Sequence, residues 1–326
     1  MVKSLILHGG AGSWRESEVK SLAEQAVHDC TSRAWRRLGE GAGAVEAVVE
    51  AVKCMEDSGV LNAGWGSTLN LLGGRSLDAG LMSSEGLLGA VANVKYTKNP
   101  ILLAKIVAEE TPHVLLAGDG ADLLAATKGL PPLPPPPKHV VERYYTALKK
   151  LLNGEVSTQY YSKILEHLRK NSIYSSISEL GALGDTVGAV AVDDRGVLAA
   201  ATSTGGVILK LPGRVGDTPL PGAGFYASKR VACSSTGIGE MIIRTMPCLK
   251  LDLEYDKHLS VYELAKAVVD YVSSTVGPDA LGFIAVDAAG NGFYGYNTEA
   301  MLVGYVNSKG EVVVKTSAPG KVGVVE

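Results

Sequence analysis

The chain has 326 residues, of which 46% are hydrophobic and 20% charged, and its formal net charge is −3. That length is within reach of one large α/β domain, and the charge gives no reason to expect nucleic acid or an anionic membrane as a partner. No stretch approaches the roughly 18 apolar residues that a membrane helix needs. The apolar run at residues 2–8 is too short for a signal peptide. We therefore expect a cytoplasmic protein.

The four cysteines are scattered along the chain and form no C-x-x-C pair. This spacing disfavours zinc and redox motifs, and a disulfide framework is unexpected in so large a chain. We predict four small buried thiols at Cys30, Cys54, Cys233 and Cys248.

The first half predicts a layer of helices beside short strands. In chain order, apolar periodicity and glycine punctuation predict a strand at 2–8 ended by the glycine run 9–12, helices around 22–34 and 41–57, short strands within 69–94, and helices within 100–128.

A proline run at residues 131–137 interrupts this pattern. Polyproline cannot continue a helix or a central strand, so it predicts an extended, semi-rigid spacer, and an SH3-ligand function is the weaker interpretation. Residues 138–182 predict one or two helices, which lead to Gly184. We expect residues 129–185 to form a mobile tail.

The second half predicts paired antiparallel strands that are apolar on both faces. The elements are hairpins at 187–201 and from 282 onward, a helix that begins with the capping box Ser260-x-x-Glu263 and ends at Gly277, and a last strand at 311–315. Sheets between two helical layers indicate an α+β fold, a four-layer αββα sandwich in a single domain, 1–326.

Thr186 follows Gly184 and Asp185 at the start of a buried strand. Gly-Asp is ordinary turn chemistry and threonine suits strands, which gives a plain structural interpretation. The functional interpretation is a nucleophile activated by its own α-amine, whose pKa of roughly 7.7–8 leaves a sizeable neutral fraction. That amine exists only if the Asp185–Thr186 bond is cut, which an N→O acyl shift could do.

Further candidates stand downstream. The hairpin should bring Thr204 close to Thr186, so that Thr204 could orient its hydroxyl. Arg214 and Asp217 could hold the carboxylate and ammonium of an amino acid, although a surface ion pair is the common alternative. Thr236 and the glycines after it could form an oxyanion hole or simply start a helix.

Two polar residues in the first half also suggest roles. Asn62, in a glycine-rich loop, could donate its amide to an oxyanion during self-cleavage. His8 could be a base, but a histidine that closes a buried strand is more often structural, and we assign it no catalytic role.

Seven segments together resemble plant-type L-asparaginases and isoaspartyl peptidases, which are N-terminal-nucleophile hydrolases. In the order and at spacings similar to the family's, they are His8-Gly9-Gly10-Ala11-Gly12, Asn62-Ala63-Gly64-x-Gly66-Ser67, Leu77-Asp78-Ala79, Gly184-Asp185-Thr186-Val187-Gly188-Ala189-Val190, Thr202-Ser203-Thr204-Gly205-Gly206, Gly213-Arg214-Val215-Gly216-Asp217 and Thr236-Gly237-x-Gly239-Glu240. The resemblance covers nearly all of the chain and is weakest at about 125–183.

The resemblance implies an autoprocessing threonine amidohydrolase that acts on L-asparagine, β-aspartyl dipeptides or both. Self-cleavage would give fragments 1–185 and 186–326. Thr186 would be the nucleophile, assisted by Thr204 and Asn62, with Thr236 and Gly237 stabilising the oxyanion. The implied substrate-binding residues are Arg214, Val215, Gly216, Asp217, Thr236, Gly237, Ile238 and Gly239.

The family also implies no cofactor for the chemistry, a sodium ion on backbone carbonyls, and a dimer of cleaved heterodimers. The carbonyls would be those of Met55, Glu56, Ser58, Leu61, Ala63 and Trp65. The chain departs from the family at Ser76-Leu77-Asp78-Ala79, at Met82-Ser83-Ser84 and in its proline run. These departures concern the behaviour of the linker and the cleavage rate.

Other functions remain open. The missing signal peptide and missing disulfide set argue against the relatives that remove asparagine from glycans. A threonine endopeptidase of the taspase type shares the Asp-Thr-Val-Gly core, and a non-processing amino-acid-binding protein would keep the pocket. A nucleotide-binding module would use Gly222-Ala223-Gly224-Phe225-Tyr226-Ala227, but prolines rather than a strand precede this segment.

Overall fold

A computed structural model describes residues 2–14, 18–155, 159–170, 186–317 and 322–325. Asp185, at the predicted cleavage site, lies outside these ranges, and so do residues 171–184 of the predicted mobile tail. The described α-helices are α1 (Glu18–Gly39), α2 (Ala44–Asp57), α3 (Pro100–Glu110), α4 (Gly118–Thr127), α5 (Lys138–Leu152), α6 (Gln159–Lys170), α7 (Gly239–Thr245), α8 (Pro247–Glu254) and α9 (Val261–Val276).

The strands form two sheets. The strands are β1 (Ser4–Gly12), β2 (Leu77–Ser83), β3 (Leu88–Val94), β4 (Leu115–Ala117), β5 (Val187–Val192), β6 (Leu198–Thr204), β7 (Phe225–Ala227), β8 (Val231–Gly237), β9 (Leu281–Asp287), β10 (Gly292–Tyr296), β11 (Ala300–Val306), β12 (Val312–Ser317) and β13 (Val322–Val324). Eight of them pair in the order β12-β11-β1-β5-β6-β2-β3-β4, and five in the order β13-β10-β9-β8-β7.

The larger sheet joins the two halves of the chain at its centre. The hairpin β5–β6, from the second half, lies between β1 and β2, both from the first half. Ile6 pairs with Val190 on one side, and Gly80 pairs with Thr202 on the other. All pairs in this sheet are antiparallel except β3–β4, which is parallel.

Three hydrophobic clusters account for the buried faces that the sequence predicts. The first lies between the larger sheet and helices α1 to α4, and the second contains side chains of both sheets, such as Val190 and Ile284. The third lies between the smaller sheet and helices α7 to α9. The chain therefore has a mixed α/β fold in which both faces of its hairpin strands are covered, which explains their continuous apolar sequence.

We predicted that the glycine run after His8 ends the strand, but the run is part of the strand. β1 continues to Gly12, with an irregular register between His8 and Gly10 where it pairs with β11. A Cβ at Gly9 would lie 2.7 Å from Leu302 Cδ2. Glycine here serves close packing and a bulge within a buried strand.

The proline run is extended, as predicted, but it is fastened to the body of the protein. Trp65 Nε1 donates to the carbonyl of Pro135 at 3.0 Å, and Arg75 donates to that of Pro134. Leu133 N donates to Tyr96 O at 2.6 Å. The carbonyls of a polyproline segment have no internal partners, so they are available for such contacts.

Helices α5 and α6 pack on the loop that follows β6. A fourth hydrophobic cluster includes Tyr144 and Tyr161 on the helices and Ile208 and Leu209 on that loop. The Tyr161 hydroxyl donates to Ile208 O at 3.2 Å. The segment before the predicted cleavage site thus supports the loop that leads from Thr204 to Arg214.

The prediction of four free thiols is wrong. Cys30 and Cys54 form a disulfide that joins α1 to α2, and Cys233 and Cys248 form one that joins β8 to α8. The partners are 24 and 15 residues apart, so tertiary packing and not a local motif brings them together. The cysteines therefore no longer argue against the glycan-directed relatives.

The glycine segment that we considered as an alternative nucleotide-binding site lacks the secondary structure that such a site needs. Gly222–Gly224 precedes strand β7 and not a helix, whereas a dinucleotide site needs a strand followed by a glycine turn and a helix N-terminus. In addition, none of the helices that the structure describes is long and apolar enough to cross a membrane.

Candidate functional site

Thr186 lies directly before β5, at the end of the hairpin where β6 finishes. It is buried, with 8% of its surface exposed, and its Oγ1 lies 3.2 Å from Thr204 Oγ1. Val187 pairs with Ser203, so the strand register itself sets the two threonines side by side. The predicted proximity of Thr186 and Thr204 is confirmed.

A glycine turn fixes the Thr204 hydroxyl from its other side. Gly206 has a φ of +77° and donates its N–H to Thr204 Oγ1 at 2.9 Å. A Cβ at Gly205 would lie 2.6 Å from Asn62 Oδ1. The turn therefore needs glycine at 205 for close approach and at 206 for its left-handed backbone.

The side-chain amide of Asn62 joins this turn to the segment at Thr68. Its Nδ2 donates to Gly206 O at 2.9 Å, and its Oδ1 accepts from Thr68 N at 2.8 Å. The amide thus has protein partners at both ends in this structure. Its predicted donation to an oxyanion remains a prediction.

His8 connects the two sheets beneath Thr186. Its Nε2 lies 2.9 Å from Ser234 Oγ, and a Cβ at Gly188 would meet both groups. Burial lowers the pKa of His8 to about 3, so the imidazole is neutral at physiological pH. These contacts support the structural interpretation of His8.

A narrow cleft opens beside the two threonines, with room for about one water molecule, about 10 Å³. It is lined by Thr186, Thr204, Gly206, Val207, Arg214, Asp217, Thr218, Gly237 and Gly239. Six of the predicted site residues therefore come together in one place.

Charged side chains form the far end of the cleft. Arg214 donates from Nε and Nη2 to the two carboxylate oxygens of Glu240, at 3.0 and 2.9 Å. Asp217 is 4% exposed, and burial raises its pKa to about 6. A Cβ at Gly239 would lie 2.7 Å from Arg214 Nη2 and 2.9 Å from Asp217 Oδ1. Glycine at 239 thus makes room for both charges.

The predicted oxyanion segment contributes backbone to the cleft. Gly237 and Gly239 line it, whereas Thr236 is fully buried and its Oγ1 accepts a hydrogen bond from Ala11 N at 3.3 Å. Ile238 N donates to Ala280 O at 3.0 Å.

The remaining predicted binding residues flank the charges. Gly216 is buried, and a Cβ there would lie 2.6 Å from Arg214 Nη1. Val215 is half-buried. Neither Val215, Gly216, Ile238 nor Thr236 is among the residues that line the cleft.

Three buried titratable residues near the site have no side-chain role predicted from the sequence. Lys210 is 1% exposed and Asp78 is fully buried, and they form an ion pair of 3.8 Å. Glu56 is fully buried and accepts a hydrogen bond from Ser203 Oγ at 2.7 Å, and burial raises its pKa to about 8. Asp78 and Lys210 each stand alone among apolar or small residues, and Glu56 is next to Asp57 near the end of a helix, so no spacing pattern marks any of them.

The predicted sodium ligands run from the last turn of α2, at Met55 and Glu56, to the glycine-rich loop, at Ala63 and Trp65. Several of their carbonyls already accept hydrogen bonds: Met55 O from Ser58, Leu61 O from Ala63, Ala63 O from Gly66 and Trp65 O from Arg75. Met55 O accepts two hydrogen bonds, from Ser58 N and Ser58 Oγ, whereas the other three carbonyls each keep one lone pair for another partner. The sodium site stays a prediction, and the described residues form no cluster of His, Cys, Asp and Glu that could hold a metal ion.

Comparison with known proteins agrees with this geometry. Residues 1–315 match the family described as Asparaginase. A plant-type L-asparaginase of Pyrobaculum calidifontis is 43% identical, over 95% of this chain and 98% of its own length. An isoaspartyl peptidase of Salmonella typhimurium is 37% identical over 92% and 94% of the two chains. The chain therefore belongs to the asparaginase family and is a hydrolase.

Proposed function

We propose that the chain cuts itself before Thr186 and then uses this threonine to hydrolyse the side-chain amide of L-asparagine, the isopeptide bond of β-aspartyl dipeptides, or both. The observation that carries the proposal is the contact of 3.2 Å between the hydroxyls of Thr186 and Thr204, in a cleft whose far end holds Arg214 and Asp217. The names of the two relatives support the same substrates.

In the first stage Thr186 Oγ1 attacks the carbonyl carbon of Asp185, and the acyl group moves from nitrogen to oxygen. Water then hydrolyses the ester, which gives fragments 1–185 and 186–326. The central position of β5 and β6 between β1 and β2 supports continued association of the fragments. A nick before β5 breaks none of the strand pairs that hold the hairpin in the sheet.

In the second stage the freed α-amine takes the proton of Thr186 Oγ1, which attacks the β-carboxamide carbon. Ammonia, or the amine of a dipeptide, takes a proton and leaves a β-aspartyl ester on Thr186. Water, activated by the same amine, hydrolyses this ester to aspartate. Thr204 orients the attacking hydroxyl, and Asn62 assists near the nucleophile.

The rest of the cleft binds the substrate. Thr236 and the backbone N–H of Gly237 stabilise the oxyanion of the tetrahedral intermediate. Arg214 holds the α-carboxylate and Asp217 holds the α-ammonium, with Gly239 between them. Glu240 takes two of the five N–H donors of Arg214, so the substrate carboxylate binds the remaining donors beside Glu240.

We also infer the larger organisation. The three clusters that lie on either side of the sheets and between them support a four-layer αββα sandwich in a single domain. We propose a dimer of cleaved heterodimers in the cytoplasm, by analogy with the family. No cofactor takes part in the chemistry. A sodium ion on the carbonyls between Met55 and Trp65 would have a structural role only.

Two alternatives make different predictions. A threonine endopeptidase would also cut itself but would prefer long peptides, whereas Arg214 and Asp217 beside the two threonines match the carboxylate and ammonium of an amino acid. A binding protein of the same fold would bind aspartate and remain a single chain.

The test is the intact mass of purified protein during a warm incubation. We expect two species, 1–185 and 186–326, and release of ammonia from L-asparagine that follows their appearance. Thr186→Ala should remain whole and inactive, while Thr127→Ala, which changes an exposed threonine on α4, should behave as the wild type. A wild-type chain that stays whole and hydrolyses neither substrate would overturn the proposal.

A further inference from the structure

Lys210 is a lysine without access to water, a few residues beyond Thr204. Its side chain is 1% exposed. Nζ donates to Ser76 O at 2.8 Å and lies 3.8 Å from Asp78 Oδ2. Lysines are almost never fully buried unless they are paired, so the charge of Lys210 is retained inside the protein by Asp78.

Asp78 depends on Lys210 in return. Its Oδ1 accepts a hydrogen bond from Asn93 N at 2.8 Å, whereas its Oδ2 has no hydrogen-bond donor among the described residues. Burial raises the pKa of Asp78 and lowers that of Lys210, and the attraction between the two opposes both shifts. A buried carboxylate that loses such a partner is strongly destabilising.

The pair lies against the turn that fixes Thr204. A Cβ at Gly206 would lie 2.7 Å from Lys210 Nζ and 2.8 Å from Lys210 Cδ, so the lysine packs directly on this glycine. Gly206 N in turn donates to Thr204 Oγ1. On the neighbouring strand, Asp78 pairs with Thr204 in the β2–β6 register.

We propose that the buried ion pair of Lys210 and Asp78 positions the Gly206 turn, and through it the Thr204 and Thr186 hydroxyls, for nucleophilic attack. The pair ties the loop after β6 to the start of β2. Lys210 and Asp78 are positioning residues, because they act through Gly206 and not on the substrate. This inference rests on the proposed function of Thr186.

The test separates positioning from folding with three variants: Lys210→Met, Asp78→Asn and the double variant. Methionine keeps the length of the lysine stem and removes its charge. Lys250→Met is the control, since Lys250 pairs with Glu254 on α8 outside the cleft. For each variant the thermal midpoint, the self-cleavage rate, kcat and KM on L-asparagine are measured with the full chain.

Lys210→Met should lower the thermal midpoint, and kcat should fall roughly 10- to 100-fold because the hydroxyls are displaced. KM should stay within about twofold, since Arg214 and Asp217 are unchanged. The double variant leaves no unpaired charge, so its thermal midpoint should recover, while its kcat should stay low. It also keeps the test possible if Lys210→Met alone does not fold.

Two results would overturn the inference while the wild type is active: a wild-type kcat in Lys210→Met, or a kcat that recovers together with the thermal midpoint in the double variant. The second result would mean that the pair serves folding only. A wild-type protein that neither cuts itself nor hydrolyses asparagine would overturn the proposed function, and the inference with it.

Discussion

The two ends of the cleft present different chemical groups. The reaction end, formed by Thr186, Thr204 and Gly206, presents hydroxyl and backbone groups that two paired strands hold in register. The recognition end, formed by Arg214 and Asp217, presents ionisable side chains, and Arg214 is bonded to Glu240. The geometry of the reaction end is already in place in the free protein. At the recognition end, Arg214 already has a partner, Glu240, which takes two of its five N–H donors.

This difference assigns separate kinetic consequences to the two ends. A change among the hydroxyls should act on the chemical step and lower kcat, because the groups concerned contact the reacting atoms. A change among the charges should act on binding and raise KM, because the α-carboxylate and α-ammonium do not react. Variants at each end therefore test whether the cleft is divided in this way.

The largest effect is expected at Thr204, whose hydroxyl faces the nucleophile. Thr204→Val keeps the shape of the side chain and removes the hydroxyl, so kcat for L-asparagine should fall by roughly 10²- to 10³-fold, as for the loss of a donor beside a reacting oxygen. KM should change little. Thr204→Ser keeps the hydroxyl and serves as the control. An unchanged kcat in Thr204→Val would remove this residue from the reaction end.

Strand pairing made this end predictable from the sequence. The hairpin that begins at Val187 is read from its apolar strands and its turn at 193–196, and any hairpin brings its outer ends together. The proximity of Thr186 and Thr204 followed from that alone. Two clusters between helices and a sheet, and a third between the two sheets, likewise agree with the apolar faces that the pattern predicts.

What the sequence did not predict depends on contacts between distant segments. Lys210 finds Ser76 and Asp78 across 134 and 132 residues of chain, and Cys30 finds Cys54 only because α1 packs beside α2. Neither pair has a characteristic spacing. The pairing of Arg214 with Glu240 was missed for the same reason, because the resemblance pointed to the substrate and not to the partner in the free protein.

A smaller effect is expected at Arg214, where geometry matters as much as charge. Lysine cannot reproduce the fork of two parallel hydrogen bonds. Arg214→Lys should therefore raise KM for L-asparagine roughly 10- to 100-fold, which corresponds to the loss of one hydrogen bond to a charged group, with kcat within about threefold. Arg230→Lys is the matched control, because Arg230 makes a similar fork with Asp252 outside the cleft. A fall in kcat without a change in KM would contradict the division.

The charge of Asp217 should make recognition depend on pH. Its pKa is raised to about 6, so the carboxylate that binds the α-ammonium is lost as the pH falls through about 6. The affinity for aspartate, measured as a competitive inhibition constant, should weaken about tenfold per unit below that pH. Inhibition constants avoid the titration of the Thr186 amine, which acts on kcat. Asp217→Asn should bind weakly at every pH, and a wild type with pH-independent affinity would contradict this role.

The same raised pKa has the opposite consequence for stability. A carboxyl that binds its proton more tightly in the folded state than in the unfolded state stabilises the fold at low pH, and this contribution is lost as the pH rises through about 4 to 6. Asp217→Asn should therefore raise the free energy of unfolding at pH 7 while it impairs binding. Urea titrations at pH 4 and pH 7 would measure the difference.

The smallest effect on activity is expected from the disulfides, which lie outside both ends. Each closes a loop of 24 or 15 residues, and its removal should lower the free energy of unfolding by about 3 kcal/mol.

The informative pair is Cys233–Cys248, because Cys233 lies on β8, the strand that leads to Thr236 and Gly237. β8 also pairs with β7 and β9 on its two sides. We therefore expect Cys233→Ser/Cys248→Ser to keep kcat and KM within about twofold. Cys30→Ser/Cys54→Ser is the matched control for lost stability. A kcat that falls only in the first double variant would mean that the sheet alone does not hold the oxyanion segment in place, so that the disulfide belongs to the reaction end.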